Sequence, residues 1–433
     1  MKPPSTNSKP ASPEAGATVA QWLQWLEAIH PTEIELGLER VLVVLRRLFP
    51  RKPAARIITV AGTNGKGTTV ATVEKLLRVA GRRTGAYTSP HLQRYNERVR
   101  LDGQDITDAA LVSAFERVES ARGKVSLTYF EFGTLAAFVA FADAGVEDWI
   151  LEVGLGGRLD AVNVLDADYA VITSIDIDHV GFLGDNREVI GFEKAGILRP
   201  GIFAVCADPL PPSSVLQQAA AQKVELQVTG RDYQIASRPA DASMVDLVRE
   251  HERIALPAGP LPVESVAAGA VLVRLLEPEL SAGRISEAVQ SLAVPGRFEQ
   301  LRRHPDVILD VGHNPHAARW LASKLEGHRS RAGRVLGVYA ALSDKDVAGV
   351  LMAMAPVVDQ WWFAGLSVHR GLDTKSLVAL AKARGIDRYR GFDSVPDALR
   401  AAMAEAGAAD TIIVFGSFYT VAQARELLEH GVS

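Results

Sequence analysis

Short apolar runs alternate with longer amphipathic stretches along most of the chain. Runs rich in β-branched and aromatic residues predict strands, among them residues 57–60, 149–153 and 169–174. Between such runs, apolar positions recur with helical periodicity, for instance over residues 108–121 and 132–144. Strands that alternate with helices in this way are typical of parallel sheets with helices on their faces. The pattern therefore predicts an α/β fold.

The alternation is interrupted once, and the interruption divides the chain. The periodicity weakens over residues 232–255, where small strands and loops fit the sequence equally well, and a Pro-Gly pair follows at 295–296. A fresh alternation then begins, with strands predicted at residues 307–311, 335–339, 360–363 and 411–415. We predict a flexible tail rich in Pro, Ser and Ala (1–18), an N-terminal P-loop ATPase-like domain with a parallel sheet (19–294), and a C-terminal Rossmann-like α/β domain (295–433).

A glycine-rich turn joins the strand at residues 57–60 to the helical pattern that follows it. It reads Gly62, Thr63, Asn64, Gly65, Lys66, Gly67 and Thr68. Free amide groups at the start of the helix would face an anion, Lys66 adds a positive charge, and Thr68 offers a hydroxyl to a metal ion. A plain glycine turn would not require these side chains. The spacing is one residue shorter than G-x-x-x-x-G-K-[ST], which disfavours an ordinary kinase or GTPase loop. We predict that this turn binds a nucleotide triphosphate.

Composition narrows the class of protein further. The 433 residues carry a net charge of −4, so nothing indicates general attraction to nucleic acid or to a membrane surface. Cys206 is the only cysteine, which excludes an intrachain disulfide and fits a reducing cytoplasm. No apolar run is long enough to span a bilayer. These features predict a large cytoplasmic enzyme.

Polar residues after other predicted strands are candidates for completing a nucleotide and metal site. Glu152 ends an apolar strand, where a parallel sheet presents its ligands, and Asp160 ends a glycine-rich loop. His179 follows another strand and is either a metal ligand or a hydrogen-bonded scaffold residue. Ser89 offers a hydroxyl, although a turn before proline has the same appearance. Lys194 lies on a short predicted helix, a position at which most lysines are solvated.

Together these motifs resemble the Mur-ligase superfamily, and within it the folylpolyglutamate synthases that also have dihydrofolate synthase activity. The resemblance covers nearly the whole chain. It rests on segments that occur in this order: residues 62–68, 87–92, 127–132, 152–160, 193–197, 295–298, 310–316 and 416–418. Residues 128–131 and 157–160 are most similar to bacterial members that act on both dihydropteroate and tetrahydrofolate.

The resemblance implies ATP-dependent amide formation. ATP would phosphorylate a substrate carboxylate, and the amine of L-glutamate would displace phosphate from the acyl phosphate. The substrates implied are dihydropteroate, tetrahydrofolate and its polyglutamates. Catalysis would depend on the loop amides, Lys66 and Mg²⁺, without a protein nucleophile. By the same resemblance, Arg297 would meet the ATP phosphates and Asp310 the ribose, with the linker at 294–297 acting as a hinge.

The resemblance also implies the metal ligands. Ser89, Glu152 and His179 would bind one Mg²⁺. Lys194 would be carbamylated, which turns a cation into an anion able to hold a second Mg²⁺. This implication replaces the solvated-lysine interpretation of Lys194 with a catalytic one.

For the other substrates, the resemblance implies residues from both predicted domains. His313, a catalytic residue, and Ser417 would face the incoming glutamate. Thr128, Phe130 and Asp160 would hold the pterin, with Asp160 pairing its amino-pyrimidine edge and Phe130 providing an aromatic surface. The expected assembly is a monomer.

Two departures from the family pattern leave alternatives open. Ser265 occupies the position of an asparagine that would touch adenine, and residues 180–184 are more apolar than in relatives. A peptidoglycan or cyanophycin ligase of the same superfamily is one alternative, but it should lack the motif at residues 128–132. A non-catalytic nucleotide-binding paralogue is another, although such a protein would not need to keep Lys194 and His179.

Overall fold

The computed structural model describes residues 11–14, 16–30, 32, 35–329 and 333–431. Most of the predicted tail, including residues 1–10, lies outside the described residues. The first helix follows at once, because Thr18 accepts a hydrogen bond from the Gln21 amide while the Gln21 side chain accepts one from Thr18. The described chain contains two large sheets that share no strand.

The N-terminal sheet has eight strands, and most of them are parallel. Its order is β4-β3-β2-β5-β1-β6-β7-β8, and β3, near one edge, is the strand that runs antiparallel to its neighbours β2 and β4. The strands are β1 (Arg56–Ala61), β2 (Thr84–Tyr87), β3 (Val99–Leu101), β4 (Gln104–Asp105), β5 (Asp148–Glu152), β6 (Tyr169–Ile172), β7 (Phe203–Cys206) and β8 (Glu225–Val228). Cys206 is fully buried on β7, as an inert strand position requires.

Helices cover both faces of this sheet. Alternate residues of β1 point to opposite cores: Ile57 packs in one cluster and Ile58 in the other. The helices of this region are α1 (Val19–Ala28), α2 (Glu39–Leu48), α3 (Lys66–Val79), α4 (Asp108–Arg122), α5 (Tyr129–Ala144), α6 (Val180–Leu183), α7 (Arg187–Ala195), α8 (Ser213–Ala221), α9 (Val263–Leu276) and α10 (Ala282–Gln290), with short 3-10 helices at Tyr95–Arg98 and Ala161–Val164. No helix in the described ranges is long and apolar enough to cross a membrane.

The weakly patterned segment forms a small antiparallel sheet. Its strands are β9 (Gln234–Ser237), β10 (Met244–Arg249) and β11 (Glu252–Pro257). Most of their residues are only half-buried, which explains why the sequence shows little periodicity there.

The C-terminal sheet has six strands in the order β12-β13-β17-β14-β15-β16, and only β12 is antiparallel. Its elements are β12 (Glu299–Arg302), β13 (Asp306–Asp310), α11 (Pro315–His328), β14 (Val335–Tyr339), α12 (Val347–Met354), β15 (Gln360–Ala364), α13 (Thr374–Lys382), β16 (Tyr389–Phe392), α14 (Val395–Glu405), β17 (Thr411–Phe415) and α15 (Phe418–His430). The predicted α/β class, with one parallel-rich sheet in each half, is confirmed.

Strand positions agree with the sequence pattern better than helix starts do. β14 and β17 match their predicted bounds, whereas α5 begins at Tyr129 instead of residue 132. The apolar pattern marks only the part of a helix that packs in the core. Polar first turns precede that part, and for α5 a capping box between Thr128 and Glu131 sets the start.

Candidate active site

A cavity of about 590 Å³ lies where the carboxyl ends of the strands of both sheets meet. Ligands of open α/β sheets bind at such ends. The N-terminal half contributes the glycine-rich turn after β1 (residues 62–68, from here on the phosphate loop), the end of β5, the segment after β6 and the end of α7. The C-terminal half contributes the linker and the loop after β13. Predicted site residues that line this one cavity are Gly62, Thr63, Asn64, Gly65, Lys66, Gly67, Thr68, Ser89, Glu152, His179, Lys194, Arg297, Asp310 and His313.

The phosphate loop is shaped by two glycines. Gly62 has φ 151° and Gly65 has φ 86°, a region that favours glycine. A Cβ at Gly62 would lie 1.7 Å from Thr173 Oγ1, and one at Gly65 would lie 2.1 Å from Ser265 Oγ. Ser265 therefore lies directly against the loop. The turn leads straight into α3, whose first amides face the cavity.

Lys66 folds back over this loop instead of extending into solvent, as a solvated loop lysine would. Its Nζ donates to the carbonyl oxygens of Gly62 (3.0 Å) and Thr63 (3.1 Å). Burial lowers the pKa of Lys66, and the Glu152 carboxylate partly opposes that shift. A bound phosphate would offer this ammonium a stronger, charge-assisted partner than the two carbonyls.

Oxygen donors suited to a divalent cation lie beside the loop. The Thr68 hydroxyl is buried and has no hydrogen-bond partner. The buried Glu152 carboxylate accepts from the Ser89 amide at 3.1 Å, and burial raises its pKa although the Lys66 charge opposes the shift. The described residues contain no cluster of three or more His, Cys, Asp and Glu side chains able to hold a metal. A cation here would therefore need hydroxyl and phosphate oxygens as well, which fits a hard ion.

His179 is held in a rare conformation next to these donors. Its φ of 52° is left-handed, and it precedes α6. Desolvation by the surrounding cavity, with the charge of Lys345, lowers the pKa of His179 to about 4 although part of the residue is exposed, and this favours the neutral imidazole. A neutral imidazole is the form that binds metals.

Lys194 is buried, and the solvated-surface interpretation of this residue is wrong. Its relative exposure is 3%, and it lines the cavity from the last turn of α7. Burial, reinforced by the charge of Lys66, lowers the pKa of Lys194 to about 7. The glycine-rich loop fixes this helix end, because the Arg158 amide donates to the Glu193 carbonyl oxygen at 2.9 Å. A large fraction of Lys194 is therefore the unprotonated amine near neutral pH.

The C-terminal wall of the cavity contains Arg297 and Asp310. The buried Asp310 carboxylate accepts from the amides of Phe298 (2.8 Å) and Gly312 (2.7 Å), which ties the linker to the end of β13. Burial lowers the pKa of Arg297, and Asp310 and Glu152 oppose that shift. The guanidinium of Arg297 lies 5.1 Å from the Phe418 ring. Both predicted nucleotide contacts are therefore held in place at the cavity.

The two predicted glutamate contacts differ in accessibility. His313 lines the cavity, and its Nδ1 lies 3.0 Å from the Val311 carbonyl oxygen. Ser417 is buried, caps α15 by accepting from the Thr420 amide at 3.0 Å, and does not itself line the cavity. Its neighbour Phe418 does.

The three predicted pterin contacts do not line this cavity. Thr128 is buried and accepts from the Glu131 amide at the start of α5. The Phe130 ring packs against Gly154, where a Cβ would come within 2.7 Å of it. Asp160 accepts from the amides of Leu155 and Val162, and burial raises its pKa to about 6. Their contact with a pterin stays a prediction.

Sequence reasoning missed a group of residues that join the two halves. Asp178 lines the cavity, and its carboxylate accepts hydrogen bonds from Asn314 and Lys345. Asp178 and Asn314 lie inside motifs that were recognised, but they received no role. Lys345 had a usable signal, because it stands in an acidic Ser-Asp-Lys-Asp run shortly after the buried strand β14.

Comparison with known proteins identifies relatives across the whole chain. Residues 60–234 match the Mur ligase middle domain, and residues 296–418 match the Mur ligase glutamate ligase domain. Dihydrofolate synthase/folylpolyglutamate synthase of Escherichia coli is 44% identical over 418 residues, 96% of this chain and 97% of that protein. The protein of the same name from Haemophilus influenzae is 39% identical, over 95% of this chain and 97% of its own length.

Solved structures extend this similarity to the fold. E. coli FolC in complex with DHPP and ADP superposes with a TM-score of 0.92 at 43% identity, covering 96% of this chain and 99% of that one. A bifunctional folylpolyglutamate synthase/dihydrofolate synthase with Mn, AMPPNP and L-glutamate bound gives a TM-score of 0.89 at 43% identity, covering 97% of this chain and 100% of that one. Nucleotide and a divalent metal are thus bound by close structural relatives.

The cap at Thr128 yields a stability prediction. Thr128→Ala should lower the free energy of unfolding by about 1 kcal/mol, because the Glu131 amide at the buried start of α5 loses its acceptor. Thr128→Ser keeps the hydroxyl and should retain most of that stability. Urea denaturation followed by circular dichroism measures both variants. Equal stability of Thr128→Ala and the unaltered protein would show that this hydroxyl is not a structural cap.

Proposed function

The chain belongs to the dihydrofolate synthase/folylpolyglutamate synthase family of Mur ligases, and on that premise we propose that it uses ATP to join L-glutamate to folate precursors and folates. One substrate is dihydropteroate, which gives dihydrofolate. The other is the γ-carboxylate of tetrahydrofolate and its polyglutamates. The observation that supports this most directly is the single cavity lined by the phosphate loop, Glu152 and Lys194 from one half and by Arg297, Asp310 and His313 from the other.

The first step forms an acyl phosphate. A carboxylate oxygen of the substrate attacks the γ-phosphorus of ATP, the bond to the β-γ bridging oxygen breaks, and ADP leaves. This transfer needs alignment and positive charge, and it does not need a protein nucleophile. The amides at the start of α3 and the Lys66 ammonium provide that charge at the loop, and Arg297 provides it from the opposite wall.

The second step forms the amide. The uncharged amine of glutamate attacks the acyl carbon, and inorganic phosphate leaves with one oxygen of the original carboxylate. We assign His313 and Ser417 to the orientation of glutamate. His313 lines the cavity, and the orientation of its ring is fixed, because its Nδ1 lies 3.0 Å from the Val311 carbonyl oxygen and its Nε2 lies 3.6 Å from Asp178 Oδ2; this supports the assignment.

Magnesium is the proposed metal, at two sites. Ser89, Glu152 and His179 would hold one ion, and a carbamylated Lys194 the other. Bound there, Mg²⁺ would neutralise charge on the phosphate oxygens. The lowered pKa of Lys194 supports the carbamate, because carbon dioxide reacts with the unprotonated amine.

The remaining assignments follow the same premise. Thr128, Phe130 and Asp160 would hold the pterin, with Asp160 pairing its amino-pyrimidine edge and Phe130 providing an aromatic surface. The contacts of Phe130 with Gly154 and of Asp160 with Leu155, two residues that line the cavity, support this assignment. We assign the domain boundary to residues 294 and 295. The C-terminal sheet supports this assignment, because β12 and the strands after it pair only with one another. The single, fully buried Cys206 supports a cytoplasmic location, and a site built from one chain supports a monomer.

Incorporation of labelled glutamate tests this function. With ATP and Mg²⁺, the protein should convert 7,8-dihydropteroate to labelled dihydrofolate, and tetrahydrofolate to its diglutamate. Lys66→Ala should lower both rates by roughly a hundredfold or more, because the phosphates lose a preorganised cation. Product is measured by chromatography of the labelled pteridines.

The matched control is Lys75→Ala, which removes a lysine further along α3 that does not line this cavity. Its rates should stay near those of the unaltered protein. Both variants, Lys66→Ala and Lys75→Ala, should have the melting temperature of the unaltered protein. Absence of labelled product from either substrate would refute the proposed function. Near-normal rates in Lys66→Ala would remove the phosphate loop from the mechanism.

The carbamate on Lys194 has its own test. Protein equilibrated with ¹³C-bicarbonate should show a carbamate carbonyl resonance that is absent from Lys194→Ala. That variant should be nearly inactive and partly rescued by a short carboxylic acid, which restores an anion in the vacated space. Lys194→Arg should not be rescued, because it keeps the positive charge and fills the gap. Full ligation by Lys194→Arg in carbon-dioxide-depleted buffer would contradict the carbamate.

A further inference from the structure

Four buried or half-buried polar side chains connect the two halves of the protein beside the cavity. We call them the clasp: Asn64 and Asp178 from the N-terminal half, and Asn314 and Lys345 from the C-terminal half. Lys345 Nζ donates to Asp178 Oδ1 at 2.8 Å, and Asn314 Nδ2 donates to Asp178 Oδ2 at 3.1 Å. The amides of Asn64 and Asn314 also exchange hydrogen bonds at 3.0 and 3.1 Å.

The ion pair within the clasp is largely shielded from solvent. The side chains of Lys345 and Asp178 are 9% and 10% exposed. Removing one partner of a buried ion pair leaves the other charge desolvated and unpaired, which is strongly unfavourable. Because the two charges come from different halves, each is compensated only while the halves are docked. Loss of either partner therefore disfavours the docked arrangement, in which the remaining charge would stay buried without its counter-ion.

The same carboxylate also fixes the segment that carries His179. Asp178 Oδ1 accepts from the His179 amide at 2.8 Å, and His179 is the residue with the left-handed φ of 52°. Asn64 belongs to the phosphate loop, and Asn314 caps α11 by accepting from the Ala317 amide at 2.9 Å. Asn64, Asp178 and Asn314 thus bond across the junction from segments that form part of the cavity wall.

Some other polar contacts between the halves are longer or more exposed. His313 Nε2 lies 3.6 Å from Asp178 Oδ2, and the His313 side chain is 25% exposed. Arg319 donates to Asp176 at 3.3 Å, but the two side chains are 61% and 27% exposed. Exposed pairs of this kind contribute little, because water competes for both charges. Asp176 lies two positions before Asp178, so this exposed pair is a control matched in location and charge type.

We propose that Asp178 and Lys345 are positioning residues whose ion pair docks the C-terminal half against the phosphate loop and the His179 segment. The role concerns the assembly of the cavity and goes beyond the ligation chemistry proposed above. It needs neither nucleotide nor metal, so it can be measured in the free protein. Loss of the pair should shift the population from docked to separated arrangements.

Distances between two spin labels measure that population. Labels are placed at Gln217→Cys on α8 and Met352→Cys on α12, both exposed, in a Cys206→Ser background. Asp178→Asn and Lys345→Met should each lower the ratio of docked to separated molecules by roughly tenfold or more. The double variant should add little to either single change, because both remove the same interaction. Lys345→Arg keeps the charge and should retain most of the docked population.

The control pair Asp176→Asn and Arg319→Met should leave the distances unchanged. If Asp178→Asn fails to fold, as judged by circular dichroism, Lys345→Met and Lys345→Arg decide the question alone. Unchanged distances in Lys345→Met would overturn the proposal. So would a fall in ligation rate in Lys345→Met without a change in distance, because the lysine would then act on substrate. Additive effects of the two single changes would also overturn it.

Discussion

The structure depends on one geometric constraint: the carboxyl ends of two parallel sheets face a shared cavity. Parallel strands with helical crossovers place their following loops at one edge, so each half of the chain delivers its polar loops to a single side. The phosphate loop, Glu152 and the His179 segment come from the first sheet, and Arg297 and Asp310 from the junction with the second. A reaction with three substrates requires such convergence, because neither half alone surrounds them.

The electrostatics of the cavity fit an anionic ligand with bound cations. Burial lowers the pKa values of Lys66, Lys194 and Arg297, and it raises those of Glu152 and Asp310. Each charged form is therefore less favourable here than in water. A triphosphate would stabilise the buried cations, and a divalent ion would stabilise the carboxylates. The binding of nucleotide and metal should accordingly be mutually supportive.

Much of the fold and part of the candidate site were predictable from the sequence, for reasons that differ between residues. The phosphate loop was found because glycine, lysine and threonine at fixed spacing have a direct chemical meaning, and the α/β class followed from local periodicity. The burial of Lys194 was not readable from its own helix, because the glycine-rich loop that covers it packs there only in the folded state. The clasp joins residues as far as 250 positions apart, such as Asn64 and Asn314, and no local pattern encodes that pairing.

The central claim is that this cavity activates a carboxylate by phosphorylation before the amide forms. Transfer of ¹⁸O tests it most directly, with dihydropteroate labelled in its carboxylate oxygens and with ATP and glutamate unlabelled. The account predicts that inorganic phosphate gains one labelled oxygen for each amide formed, because the phosphate leaves with an oxygen of the original carboxylate. Formation of labelled dihydrofolate together with unlabelled phosphate would contradict it.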